Sequence, residues 1–120
     1  MSLHQKKTRN VLDEVYTERQ RQDERWGVQD HDIYMPGDYD APAHYAEMAE
    51  AWKKANDERV AALTPIRPKG EEAAWDGILL EEVYEALSEV DPARQREELI
   101  QVAAVAVAMI ECIDRRSNTL

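Results

Sequence analysis

The sequence predicts an all-α fold, a four-helix bundle completed by oligomerisation, and three observations carry that reading. Four stretches space their apolar residues for one face of a helix. Proline and glycine collect between them, at Pro36-Gly37, across residues 64–70 and at Pro92. The last stretch, residues 99–113, is apolar nearly all round, interrupted only by Gln101 and Glu111. A helix of that kind must be covered on most sides, by bundle neighbours or another subunit. A symmetric homodimer is the simplest such assembly.

The first helix is expected over residues 1–25. Val11, Leu12, Val15 and Tyr16 make a short apolar stripe, after which residues 18–25 are wholly polar and read as a solvated face. Residues 26–40 (WGVQDHDIYMPGDYD) form the longest irregular segment, and loops of that length in small domains are more often functional than idle. His31, between Asp30 and Asp32, has the chemistry of a metal ligand but no ligand spacing.

Asp40 followed by Ala41-Pro42 starts the second helix, with a capping side chain and a proline in the first turn. It is expected to run to about residue 62, with Tyr45, Met48, Ala49 and Trp52 on one stripe, core or subunit interface. Residues 64–70 (TPIRPKG) then make a basic, proline-stiffened loop. The third helix is expected over residues 71–90, with Trp75, Leu79, Val83, Ala86, Leu87 and Val90 on one side and Glu81, Glu82, Glu85 and Glu89 on an adjoining arc. Asp91-Pro92 stops that helix and caps the fourth, expected to run to about Arg116.

A chain of 120 residues fits one domain, spanning residues 1–120. Lys and Arg total 15 against 25 Asp and Glu, and the net charge of -10 argues against a nucleic acid duplex as partner. The one cysteine, Cys112, cannot form an intrachain disulfide, which suits a reducing compartment; its apolar helical setting reads as a core thiol. The first residues are polar and basic, and the longest apolar run, residues 102–110, is too short to span a bilayer. No membrane association and a cytoplasmic location are expected.

The chemistry concentrates in residues 78–101. Two helices joined by a tight Asp-Pro turn usually pack antiparallel, so Glu85 can face Glu98, with Glu81 and Glu82 one turn further along near Gln101. Glu98 shares a stripe with Val102, Val105, Met109 and Cys112, where a carboxylate is costly unless paired or bound to a metal. Like charges this close are tolerated when solvent screens them or when a cation sits among the oxygens. Hard divalent cations such as Mg²⁺ favour such oxygen donors. The bland alternative is an amphipathic helix whose glutamates meet water.

Leu79-Leu80-Glu81-Glu82-Val83-Tyr84-Glu85 and Glu97-Glu98-Leu99-Ile100-Gln101 resemble the paired acidic motifs of the MazG-like all-α nucleoside triphosphate pyrophosphohydrolases, E-E-x-x-E on one helix and E-x-x-D on the next. Gln101 stands where that family has aspartate. Trp26-Gly27-Val28-Gln29-Asp30-His31 is faintly similar to the family's W-D-x-x-Q-T-H but one residue short between Trp and Gln. The resemblance implies a Mg²⁺-dependent enzyme, with Mn²⁺ as a substitute, that cleaves a nucleoside triphosphate to monophosphate and pyrophosphate. It implies Glu81, Glu82, Glu85 and Glu98 as metal ligands, with Glu81 and Glu82 catalytic. Gln101 and Glu97 are the supporting or substitute ligands. Arg67 and Lys69 are the candidates to hold phosphates, and Trp26 and Trp75 to stack on a base. Gln offers one neutral carbonyl oxygen in place of a carboxylate. The alternative is therefore a nucleotide- or metal-binding module with weakened catalysis on the same scaffold.

Overall fold

The computed structural model describes residues 2–118, in which four helices form and no strand occurs. They are α1 (Leu3–Trp26), α2 (Ala41–Leu63), α3 (Trp75–Ser88) and α4 (Pro92–Asn118). Met1, Thr119 and Leu120, at the ends of the expected domain, lie outside the described residues. Contacts divide the chain into two units, one holding the chain up to Pro36 and from Ala106 onward, the other Gly37–Val105. Among the described residues no helix is long and apolar enough to cross a membrane.

In the unit of Gly37–Val105, the end of α2 crosses the start of α3 closely. Gly77 is buried at the crossing, and a Cβ there would run into the side-chain amide of Asn56. The Trp52 indole Nε1–H donates to the Gly77 carbonyl at 3.2 Å, a bond with a net contribution of about 1 kcal/mol. Arg59 Nη2 donates to both Asp76 carboxylate oxygens, at 2.8 and 2.9 Å. Its guanidinium lies 5.3 Å from the centre of the Trp52 ring. The hydrogen bond from Arg59 is the main reason the Asp76 carboxyl sits below its ordinary range. Both ends of the pair are open to water, so it sets register more than it adds stability. Of the expected α2 stripe, Tyr45, Ala49 and Trp52 are half-buried and Met48 is exposed.

α3 is shorter than the expected 71–90 because the chain has other uses for the flanking backbone. Glu71 N–H donates to the Pro68 carbonyl at 3.0 Å and Gly70 N–H to Glu72 Oε2 at 2.8 Å, continuing the turn. Ala74 is extended at φ -125, ψ 152. At the other end Glu89 is extended at φ -81, ψ 126, and Pro92 disfavours helical backbone in Asp91. Val90 therefore leaves the apolar face and is 73% exposed. Asp91 caps α4 as expected, its Oδ2 accepting from Arg94 N–H at 3.1 Å. Gln95 Nε2 donates to the Ala86 carbonyl at 3.1 Å, satisfying one of the carbonyls that α3 leaves open at its end. Asp40 occupies the N-cap of α2 without a capping side-chain bond, and that helix starts on its proline.

In the other unit, Ser2 and Gln5 form a reciprocal capping box, with Ser2 Oγ accepting from Gln5 N–H at 3.1 Å and Gln5 Oε1 from Ser2 N–H at 2.8 Å. Gly27 closes α1, donating to the Asp23 carbonyl at 2.8 Å with φ 69, a value that favours glycine. Of the expected α1 stripe only Val11 is buried; Leu12, Val15 and Tyr16 are exposed. Residues 18–25 do form a solvated face, tied by Arg19–Asp23 and Arg21–Glu18 ion pairs. Among the described residues the buried apolar side chains are Val11, Ala41, Ala86 and Val107. Leu99, Ile100, Ile110 and Ile113 of α4 are exposed.

The α2–α3 crossing yields a double-mutant test. Gly77→Ala is expected to lower stability by about 1 kcal/mol through overpacking against Asn56. In an Asn56→Ala background the same change should be neutral or stabilising, since alanine outranks glycine in a helix. Urea unfolding of the four proteins measures the coupling.

Candidate functional site

The acidic arc of α3 and the first turns of α4 meet in the unit of Gly37–Val105. One carboxylate oxygen each from Glu82, Glu85 and Glu98 lies within 4.8 Å of the others. The local causes are simple. Glu82 and Glu85 are three residues apart on one helix and share a face. The Asp91 cap and the Gln95–Ala86 bond turn the chain back, which brings Glu98 to that face.

The three are differently exposed. Glu82 and Glu98 are half-buried and Glu85 is open. Oε2 of Glu82 and Oε2 of Glu98 are each shielded from solvent with no hydrogen-bond partner among the described residues. A shielded carboxylate oxygen without a donor is unfavourable, and an electropositive occupant would relieve it. Burial raises the Glu82 carboxyl above its ordinary range, with the charges of Glu98 and Glu81 adding to it. Loss of water around its carboxyl does the same to Glu85 although the residue as a whole is open, reinforced by Glu82, Glu98 and Glu81 and opposed by Lys53.

The other residues of interest are spread more widely. Glu81 is half-buried and acts on both neighbours through its charge. Glu97 and Gln101 are exposed on α4. Trp75 is half-buried at the start of α3, and Lys69 is exposed in the loop before it. Arg67 lies 3.9 Å from Glu71, an exposed pair. Trp26 belongs to the other unit, where it ends α1, is 57% exposed and lies under the Arg25 guanidinium at 4.8 Å. His31 is exposed, with Gln29 Nε2 at 3.5 Å from its Nε2. Cys112 is half-buried.

The apolar stripe of α2 gave no sign that the charge of Lys53, on the same helix, would bear on Glu85. Reach explains the miss, because a lysine stem covers several ångströms and the periodicity of one helix does not say where its head lands. Nor did periodicity show the Trp52–Gly77 and Arg59–Asp76 contacts that hold α3 against α2. Their only sequence signal is a glycine inside a helical pattern, which marks close approach without naming the partner.

The raised carboxyls carry a pH signature. Glu82 and Glu85 keep their protons to higher pH folded than unfolded, so the folded chain binds more protons across that interval. Their contribution is complete below the ordinary glutamate range and is lost as pH rises through the raised values. In buffer free of divalent cations, Glu85→Gln is therefore expected to melt above the parent at about pH 7 and level with it at about pH 4. Thermal melts across that range check it. No family model, curated protein or solved structure matches the chain.

Proposed function

We propose that this chain is a Mg²⁺-dependent nucleoside triphosphate pyrophosphohydrolase of MazG-like type, acting in the cytoplasm as a homo-oligomer. The observation that supports this most is the cluster of Glu82, Glu85 and Glu98, one oxygen of each converging within 4.8 Å, while shielded oxygens of Glu82 and Glu98 lack hydrogen-bond donors among the described residues. That donor set fits a hard divalent cation, which is commonly held by one or two carboxylates together with waters and substrate phosphates. The resemblance of residues 79–85 and 97–101 to the acidic motifs of that family supplies the reaction.

In this reading Glu82, Glu85 and Glu98 hold Mg²⁺ or Mn²⁺, with Glu81 beside them and Glu97 and Gln101 in support. The ion supplies charge neutralisation at the phosphates, without which an acidic pocket repels its substrate. One carboxylate of the Glu81–Glu82 pair would orient the attacking water and take one of its protons as the water oxygen bonds to the α- or β-phosphorus. The α–β phosphoanhydride bond breaks, and the products are the nucleoside monophosphate and pyrophosphate. Arg67 and Lys69 are assigned to the phosphates. Trp75 is assigned to the base, where an aromatic face stacks with little base preference.

Pyrophosphate release across a panel of nucleoside triphosphates tests the activity. Glu82→Gln and Glu85→Gln are each expected to lower kcat by roughly a hundredfold or more, in the range typical of lost electrostatic stabilisation; parent-like rates in both would overturn the assignment. Millimolar Mg²⁺ is expected to raise the melting temperature of the parent and not of Glu98→Gln, since a ligand of the folded state stabilises by mass action. Gln101→Asp is expected to strengthen Mg²⁺ binding. Nucleotide binding without turnover in the parent would leave the binding-module reading in place of the enzyme.

A further inference from the structure

Glu111 is the second interruption of the apolar run of α4, and the proposed reaction leaves it without a role. It is half-buried, and its Oε1 is shielded from solvent with no hydrogen-bond donor among the described residues. Arg115 stands four residues on, the favoured order for an ion pair along a helix. That pair does not form. A carboxylate that is partly shielded, and leaves a cation one turn away unused, is short of positive charge.

Glu111 lines a cleft of about 550 Å³ between the start of α1 and the end of α4. All of it lies within the unit that holds the chain up to Pro36 and from Ala106 onward. Leu3 and Val11, the latter only 4% exposed, give the cleft an apolar wall. Lys7 and Arg115 bring positive charge to it, and Glu14 and Asp114 add negative charge. None of these charged side chains has an ion pair or hydrogen bond among the described residues.

The volume suits a small molecule, whose sites span about 300–1,000 Å³. A bare metal ion would leave both the volume and the apolar wall unused. An anion would meet Glu14, Glu111 and Asp114, and a simple amine would meet Lys7 and Arg115. A molecule carrying both charges satisfies both sets. Glu111 and Arg115 are about one helical turn apart, roughly 6 Å along the axis. Two extended peptide residues reach about 7 Å, so the termini of a dipeptide match that step and those of a single amino acid fall short.

We propose that this cleft binds a short zwitterionic peptide with apolar side chains, its ammonium on Glu111, its carboxylate on Arg115 and Lys7, and its side chains against Leu3 and Val11. The site is independent of the proposed hydrolysis, because Glu82, Glu85 and Glu98 belong to the other unit.

Titration calorimetry of the full chain with leucyl-leucine, alanyl-leucine and alanyl-phenylalanine tests it. At least one of the three is expected to bind saturably, at one site per chain. N-acetylation or C-terminal amidation of that dipeptide is each expected to weaken binding by about tenfold or more, since each removes one charged contact. Glu111→Gln is expected to cause the same loss for the free dipeptide and none for its N-acetyl form. Lys7→Glu, at an exposed position, is expected to weaken the free dipeptide likewise, and Glu82→Gln to leave it unchanged. No saturable binding of any of the three at roughly 10 mM overturns the proposal. So does an N-acetyl form as tight as the free dipeptide, parent-like affinity in Glu111→Gln, or an equal loss in Glu82→Gln. Helical circular dichroism shows whether Glu111→Gln folds; if it does not, Lys7→Glu decides, and parent-like affinity there overturns the proposal.

Discussion

The close crossing of α2 and α3 at Gly77 is the constraint on which the candidate site depends. With no Cβ in the way, Asn56 can occupy the space beside the backbone, and the Trp52 indole reaches the Gly77 carbonyl. Arg59 and Asp76 hold the register one residue earlier on α3. Because a helix is rigid over its 14 residues, fixing the start of α3 fixes the direction of its acidic arc further along. Wherever Glu82 and Glu85 point is decided at that crossing.

The acids form a tension that the fold maintains. Three carboxylates converge, two of their oxygens are shielded, and burial together with mutual repulsion holds two of the carboxyls above the ordinary range. A chain selected only for stability would do better with water around these groups or an apolar replacement. Such local disagreement with the rest of a sequence is what functional sites show. Lys53 offsets a part of the repulsion at Glu85 but comes last among the influences on it.

Glu98 joins the acidic arc, while Leu99, Ile110 and Ile113 of the same helix are exposed. With Val11, Ala41, Ala86 and Val107 as the buried apolar side chains among those described, most of the large apolar residues remain partly open to water. That is an unusual balance for a folded monomer, in which residues such as Ile, Val and Leu are among the most often buried.

Local chemistry made much of this legible in advance. Helical periodicity located four helices, and the Asp91-Pro92 pair located the turn that brings Glu98 back to Glu85, because capping and proline geometry act over a few residues. Spacing put Glu82 and Glu85 on one face for the same reason. What tertiary structure decided were the matters that depend on distance between segments. It trimmed α3 at both ends, since turn hydrogen bonds at Gly70 and Glu71 and the restriction before Pro92 outcompete helix propensity. It drew Glu82 rather than Glu81 into the three-carboxylate cluster, and left Glu97 and Gln101 open to solvent. It also left most of the α1 stripe exposed around Val11. A sequence records which side of a helix is apolar; only the packed chain determines whether anything lies against it.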